Sequence, residues 1–351
     1  MTRPAASEET PCSLCGASDF VVVGRADRDG RPLQTVLCRA CGLVFTNPRP
    51  SAADMDRYYA TEYRTDYQGT AAPPLRKIVR GMLGAQDRRR LVRPLLHESV
   101  SPADLSAEAS AAAEASARRR VLDVGCGAGE FVYLMRRDGV DASGLEPGHA
   151  FADFARRALG IPIQTATVET AAVRPESQDV VTMFHALEHV PDPLGILRTL
   201  RGWLKRGGSL VVEVPNVDST VQAPAHRFHY AHLHHFSGAT LGALGEAAGL
   251  RLERTEFSDD GGNVTCLFRR GSDEARTPAG LEASAARTRD TLQRHTTARH
   301  YLSGTPYMRV FRRLGRRWQE DRLLRRLKTV DAVLRWAGEG GPEGPPLHPS
   351  R

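Results

Sequence analysis

Four of the six cysteines stand in two pairs, Cys12 with Cys15 and Cys38 with Cys41, each C-x2-C, with 22 residues between the pairs. Two short turns at this spacing bring four thiolates onto one tetrahedral Zn2+. Each pair is followed by a glycine, Gly16 and Gly42, which tolerates the positive φ of a tight metal-binding turn. Four protein ligands close the coordination sphere, so the expected role is structural rather than catalytic. Two disulfides or a redox pair are the alternatives. The opening MTRPAASEETPC offers no apolar stretch for a secretory signal, which points to the cytoplasm and disfavours disulfides. Cys126 and Cys266 lie in Gly-rich or apolar stretches and read as packing residues.

The second set of reactive side chains is histidine-rich: His185 with Glu188 and His189, then His232, His234 and His235. His185-x2-Glu188-His189 also fits an inverted zinc-peptidase pattern, but that pattern needs a helix. Here it begins where an apolar strand ends and runs into Pro191. Three readings stay open. One histidine, from His185, His189, His232 or His235, is a general base for a hydroxyl or an acidic carbon. Alternatively His185, Glu188, His189 and a histidine of HLHH hold a second divalent metal. In the third reading, His189 and His235 hydrogen-bond loops at a pocket rim, and Glu188 is a carboxylate favoured at a helix start.

Val121-Leu122-Asp123-Val124 leads into Gly125-Cys126-Gly127-Ala128-Gly129, an apolar strand followed by a Gly-rich turn before a helix. That context matches a nucleotide-binding loop, yet the spacing is G-x-G-x-G rather than the dinucleotide G-x-G-x-x-G. Asp123 and Glu130 flank the place where a pyrophosphate would sit. Carboxylates repel phosphate there and suit a cationic ligand, such as one bearing a sulfonium and an ammonium. Glu146 ends the next strand, where an acidic side chain accepts hydrogen bonds from ribose hydroxyls.

These residues need a scaffold, and the pattern supplies one. FVVVGRADRDGRPLQTVLC reads as a β-hairpin between the cysteine pairs. A Tyr-rich helix follows near residues 51–68, a basic helix over 70–100, and an Ala/Ser/Glu-rich linker over 101–117. From residue 119 strands and helices alternate: VLDVG, EFVYLMRRDG, DASGLEP, HAFADFARRALG, PIQTATV, DVVTMFHAL, DPLGILRTLRGWLK and GSLVVEVP. A helix at GATLGALGEAAG precedes a possible antiparallel pair, RLERTEF and NVTCLFRR. Such alternation predicts an α/β fold, a doubly wound and mostly parallel sheet. The expected divisions are 1–50 for the ribbon, 51–118 for a helical connector, 119–270 for the α/β domain, 271–337 for a basic helical extension, and 338–351 for a disordered tail.

DVGCGAGEF, GLEP, DVVTMFHALEHVPDP, LKRGGSLVVEVPN and YAHLHHFSGATLGALGEAAGL together resemble the class I S-adenosylmethionine-dependent methyltransferases over residues 119–270. The ribbon followed by CGLVFTNPRPS is similar to a module found ahead of this domain in bacterial small-molecule and sugar methyltransferases. The resemblance implies a seven-stranded Rossmann-like sheet and S-adenosylmethionine as cofactor. It places Gly125, Cys126, Gly127 and Gly129 against the cofactor, Asp123 at its amino-acid end and Glu146 on the ribose. Thr167 and Val168 would flank the adenine, and His185 would lie beside the methyl-bearing region. Small-RNA 2′-O-methyltransferases hold a metal with a similar Glu/His cluster, and ubiquinone-pathway O-methyltransferases share the Glu-His pair. Here His185 replaces the first acidic residue of that cluster.

At 351 residues, net charge +7 and a pI of about 9.3, the chain has ordinary globular composition with no apolar run long enough to span a membrane. Nearly all basic residues are arginine, and many crowd after residue 285. The arginine and alanine bias matches a GC-rich genome, which weakens any inference about acidic partners. Segments such as RVFRRLGRRW could serve nucleic acid and read equally well as Arg-solvated helices packed on the catalytic domain, and no basic face interleaved with aromatics is apparent. The leading expectation is O-methylation of a small molecule, a sugar or a secondary metabolite. C-methylation of a keto-sugar is the alternative within the chemistry, and nucleic-acid binding or RNA modification is the alternative outside it.

Overall fold

The computed structural model describes residues 7–51, 73–97, 118–271 and 280–339. The Tyr-rich segment, the Ala/Ser-rich stretch at 101–117 and most of the C-terminal tail lie outside the described residues.

Strands β1 (Ser7–Glu8), β2 (Phe20–Ala26), β3 (Pro32–Cys38), β4 (Val44–Thr46) and β5 (Arg49–Pro50) make up the ribbon, with β2 and β3 forming the expected hairpin. Helix α1 (Leu75–His97) follows. The α/β domain then runs β6 (Arg120–Val124), α2 (Glu130–Arg137), β7 (Asp141–Leu145), α3 (His149–Phe154), β8 (Ile163–Gln164), β9 (Gln178–Phe184), α4 (Pro193–Trp203) and β10 (Leu204–Pro215). It ends with β11 (His234–His235), α5 (Gly238–Ala247), β12 (Leu250–Phe257) and β13 (Asn263–Arg270). Helices α6 (Glu282–Arg294), α7 (Thr297–Leu302), α8 (Thr305–Arg326) and α9 (Val330–Gly338) close the described chain.

Seven strands pair in the order β12-β13-β10-β9-β6-β7-β8. The five from β10 to β8 are parallel, and β13 runs antiparallel to both of its neighbours. This is the methyltransferase variant of the Rossmann-like sheet that the resemblance predicts. The order reverses at β6 and β9, so the carboxyl ends of β6, β7 and β9 open on one crevice, the place where such sheets bind ligands. Local sequence explains the elements. β6 is a buried apolar run, and α2 buries Phe131, Leu134 and Met135 at helical spacing. α4 begins at Pro193, with the Asp192 side chain accepting from the Gly195 amide at 2.9 Å. α5 opens on a capping box between Ser237 and Thr240.

Three boundaries differ from the sequence reading. β8 keeps only Ile163–Gln164 of PIQTATV, because Thr167 turns back in hydrogen bonds with Thr170. β9 stops at Phe184, since His185 adopts φ 53° and a 3-10 turn over Leu187–His189 follows. The ribbon is also not self-contained. Its sheet has the order β11-β4-β3-β2, with His234 opposite Phe45 and His235 opposite Val44. Cys12, Leu14, Val36, Leu43 and Phe45 share one apolar core with Leu187, Phe236 and Leu241.

The basic helices pack only in part. Arg80 of α1 binds Glu320 of α8 at 2.7 and 2.9 Å, and Leu323 is buried there. The amino-terminal half of α8 is exposed all round, with Tyr307, Val310, Phe311, Leu314 and Trp318 between arginines. This corrects the expectation that RVFRRLGRRW lies packed on the domain, and it shows a basic helix interleaved with aromatics that the linear pattern concealed. None of the described helices is long and apolar enough to cross a membrane.

Candidate active site and metal centre

The four ribbon cysteines converge. Cys12 Sγ lies 3.4 Å from Cys41 Sγ, and Cys15 Sγ lies 3.6 Å from Cys38 Sγ, with all four sulfurs within 4.8 Å of one another. These separations are too long for disulfides. They approach the edges of a tetrahedron with metal–sulfur bonds of about 2.3 Å. Gly16 and Gly42 carry φ 73° and 79°, as the knuckle turns require. Hydrogen bonds from Cys12 and Cys41 hold the Cys38 thiol down at about 2, and the thiols of Cys12 and Cys41 are pushed up in turn. Thiols crowded this way favour a cation that neutralises them together. Three of the four are buried, and Cys15 is exposed.

At the crevice, the Gly125–Gly129 turn follows β6. Gly127 has φ 57°, and a Cβ there would meet no atom of the described residues within 4 Å, so space lies open beside its backbone. Glu146, just past β7, accepts from the amides of Gly127 at 2.9 Å and Gly148 at 2.8 Å. Each carboxylate oxygen keeps a lone pair for a further donor. Asp123 is buried, accepts from Thr182 Oγ1 at 2.7 Å, and is pushed up to about 6 by burial against that hydrogen bond. Burial also holds Glu130 up at about 7 and raises Glu146. Three carboxyls with weakened acidity around one opening fit a ligand that brings positive charge. Cys126 is buried under the turn, Val168 packs into the core, and Thr167 lies in the loop after β8.

The histidines separate into two groups. His185, at the end of β9, places Nε2 at 3.0 Å from Glu213 and Nδ1 at 3.7 Å from Glu188. Burial opposes its charge, but the two carboxylates outweigh burial and hold it up at about 9. Burial likewise opposes the charge of Glu213, yet His185 and Arg88 hold it down at about 2. In the ligand-free protein His185 thus stands as a cation between two carboxylates.

The second group is Glu188, His189 and His232, whose ligating atoms lie within 4.8 Å of one another. His189 Nδ1 donates to the Ala231 carbonyl at 2.9 Å, which is the loop bond that the third sequence reading expects. His232 stacks edge-on against His189 at 4.8 Å, with His235 6.0 Å away. Burial first, then the neighbouring imidazoles, lowers His232 well below its ordinary range, and burial takes His235 to about 3. Both are therefore neutral at pH 7. His234 points the other way, to Ser13 Oγ at 3.1 Å in the ribbon. Glu188 is 2% exposed, and its Oε2 has no hydrogen-bond partner among the described residues, an omission that costs about 1–3 kcal/mol unless something else satisfies it.

These charges make a testable pH signature. His185 has a folded pKa above its ordinary 6.5, so its stabilisation is complete below about 6.5 and is lost as pH rises through about 9. Glu213 has a folded pKa below its ordinary 4.5, so its share is present above that value and is lost as pH falls through about 2. Imidazole NMR titration of the ligand-free protein is expected to show one histidine titrating near 9, which disappears in His185→Gln. If every imidazole titrates below 7, the pairing with Glu213 and Glu188 is wrong.

Residues 88–255 match the family model described as a methyltransferase domain, in a chain that already shows the matching sheet order and an acidic, Gly-lined crevice at its switch point. Residues 88–255 are a class I methyltransferase domain. Over 104 residues the chain is 38% identical to the ubiquinone biosynthesis O-methyltransferase of Aliivibrio fischeri strain MJ11, covering 28% of this chain and 44% of that one. It is 39% identical over 104 residues to the same-named protein of Proteus mirabilis, covering 28% and 42%. The chain thus spans under half the length of these curated relatives. A SAM-dependent methyltransferase structure from Archaeoglobus fulgidus is 17% identical with a TM-score of 0.43, covering 60% of this chain and 99% of that one.

The match to the methyltransferase domain begins within α1, and the structure shows what α1 contributes. Arg88 stacks over the Phe184 ring at 4.4 Å and reaches Glu213 at 3.5 Å, while Arg89 pairs with Asp138 at the end of α2. Arg88 was not legible as a site residue because it lies in an unpatterned basic helix. Glu213 did leave a signal, as the lone charge in the apolar run SLVVEVP. His229 was also missed; it lies 5.0 Å from His232, and the Ala231 amide donates to its Nδ1 at 3.1 Å.

Proposed function

We propose that the protein transfers the methyl group of S-adenosylmethionine to an oxygen of a small cytoplasmic molecule, a sugar or secondary metabolite, and that its ribbon carries one structural Zn2+. The observation that carries this reading is the open space at Gly127 between two strand-end carboxylates, Asp123 and Glu146. Glu146 offers its remaining lone pairs to the ribose hydroxyls, and Asp123 faces the ammonium end. In the reaction the acceptor oxygen attacks the methyl carbon, the carbon–sulfur bond breaks, and the hydroxyl proton leaves. Much of the rate comes from holding oxygen, carbon and sulfur in line. The neutral imidazoles of His232 and His235, beside His189, supply the acceptor-side surface on which that proton is managed. The relatives named O-methyltransferases support oxygen as the methylated atom.

A labelled methyl group from S-adenosylmethionine is expected to enter the low-molecular-mass fraction of a cell extract, resistant to nuclease and protease. Identification of the labelled product distinguishes an O-methyl from a C-methyl group. The exposed basic helix α8, with Tyr307, Phe311 and Trp318 among arginines, favours nucleic acid as the second reading, since bases stack on such rings between phosphate contacts. Label in a nuclease-sensitive fraction, with binding that weakens steeply as salt rises, would replace the small-molecule reading.

A further inference from the structure

We propose that the exposed amino-terminal half of α8 docks the protein on the surface of an anionic lipid bilayer. Eight of the ten large apolar side chains exposed among the described residues fall between Tyr301 and Trp318. Scattered apolar side chains are ordinary on a protein surface, but a contiguous patch marks a place of contact. The alternation of rings and arginines along the sequence resolves into two faces once the chain is helical. At about 100° per residue, Tyr307, Val310, Phe311, Leu314 and Trp318 share an arc roughly 100° wide, and Arg309, Arg312, Arg313 and Arg316 lie on the opposite side. The arginine face turns toward Asp260, in the loop between β12 and β13. Burial opposes the charge of Asp260, but the Gly262 amide and Ser258, then Arg312 and Arg316, hold it below its ordinary range. The apolar stripe, on the other side of the helix, points away from that loop. The Asn216 amide donates to the Gly262 carbonyl at 2.9 Å and ties the loop to the end of β10. Thus α8 lies at the end of the sheet on which the crevice opens.

Charge selects the occupant. From Thr291 to Gln319 the chain carries seven arginines and no aspartate or glutamate. Two such helices packed face to face would crowd like charges, which disfavours a second copy of the chain. A single-stranded nucleic acid needs rings and guanidinium groups on one side, with bases stacked on the rings between phosphate contacts. Here the two parts lie on opposite faces. An anionic bilayer takes both. An amphipathic helix lies in the interface with its apolar face about 5–10 Å into the headgroup and acyl boundary. A helix is about 10–12 Å across with its side chains, so the arginines then stand level with the lipid phosphates, which attract them at short range. Since α8 is not apolar enough to cross the bilayer, it lies on the surface. The docking does not depend on the acceptor or on the atom methylated.

The test is flotation of the full-length protein with vesicles of phosphatidylcholine alone and of equimolar phosphatidylcholine and phosphatidylglycerol. The protein is expected to float with the anionic vesicles and not with the neutral ones, and to release them as salt rises. Tryptophan emission should shift to the blue on binding, because Trp318 is 61% exposed before docking and enters the acyl boundary on it. Phe311→Asp should weaken vesicle binding more than ~10-fold. Arg313→Gln should weaken it roughly fivefold, the effect of one basic side chain near such a surface. Both side chains are exposed, so the thermal unfolding midpoint should stay unchanged in both variants. Absence of flotation with anionic vesicles, equal flotation with neutral ones, or unchanged binding in both variants overturns the docking. Without vesicle binding, a dimer that dissociates in Phe311→Asp would assign the stripe to a second copy. Oligonucleotide binding lost in that variant, again without vesicle binding, would assign it to nucleic acid.

Discussion

Cys38→Ser is expected to lower acceptor turnover by roughly 10²-fold, the order of loss that a 1 Å misplacement at a reacting centre produces, while S-adenosylhomocysteine affinity stays within about twofold. The reason lies in the sheet order β11-β4-β3-β2. If the cysteine centre holds the proposed Zn2+, losing one thiolate releases it, and β3 and β4 loosen with it. β11 then loses its partner strand, because His234 and His235 are registered on Phe45 and Val44. His232 and His235 go with it, whereas Asp123, Gly127 and Glu146 sit at β6 and β7, two and three strands removed from β10 in the other sheet. Calorimetry with S-adenosylhomocysteine and steady-state turnover on one preparation check the division. Loss of cofactor binding in Cys38→Ser would show that the ribbon supports the whole domain rather than its acceptor side.

Gly127→Val is expected to abolish cofactor binding, with affinity for S-adenosylhomocysteine falling by more than ~100-fold, equivalent to about 2.7 kcal/mol or more. A β-branched residue at φ 57° costs about 1–2 kcal/mol in backbone strain, so some loss of thermal stability accompanies it. Gly127→Ala carries similar strain with a far smaller side chain, and it separates the two effects. If the valine side chain acts by filling the cradle, alanine loses stability comparably but keeps most of its affinity. Equal affinity losses in both variants would assign the effect to backbone distortion, and unchanged affinity in valine would mean that the cofactor lies elsewhere.

Much of the site could be read from short-range patterns because its parts are local. The C-x2-C-G knuckles and the G-x-G-x-G turn demand particular backbone conformations from particular residues, and the positive φ values of Gly16, Gly42, Gly125, Gly127 and Gly129 meet that demand. Glu146 was legible for the same reason, as the first residue after an apolar strand. The histidine cluster was legible as a set of residues but not as a set of roles. Whether His185 is a base, a ligand or a cation depends on Glu213, which arrives from β10 through a strand pairing. The two-residue strand β11 is too short to leave a periodic signal, yet it joins the ribbon sheet to the chain around the histidine cluster.

By itself, the amino-acid sequence determined the α/β class, the four-cysteine knuckles, the Gly-rich cradle and its two carboxylates, since each follows from hydrophobic periodicity or from the conformational needs of neighbouring residues. Only the tertiary structure decided which charges meet. Arg88 reaches Glu213 across 125 positions of chain, and His185 is claimed by Glu213 and Glu188. Glu188 thereby gathers with His189 and His232 around a common point. Protonation state and ligand sets depend on burial and on partners brought together by folding, and neither is encoded in the spacing of residues along the chain.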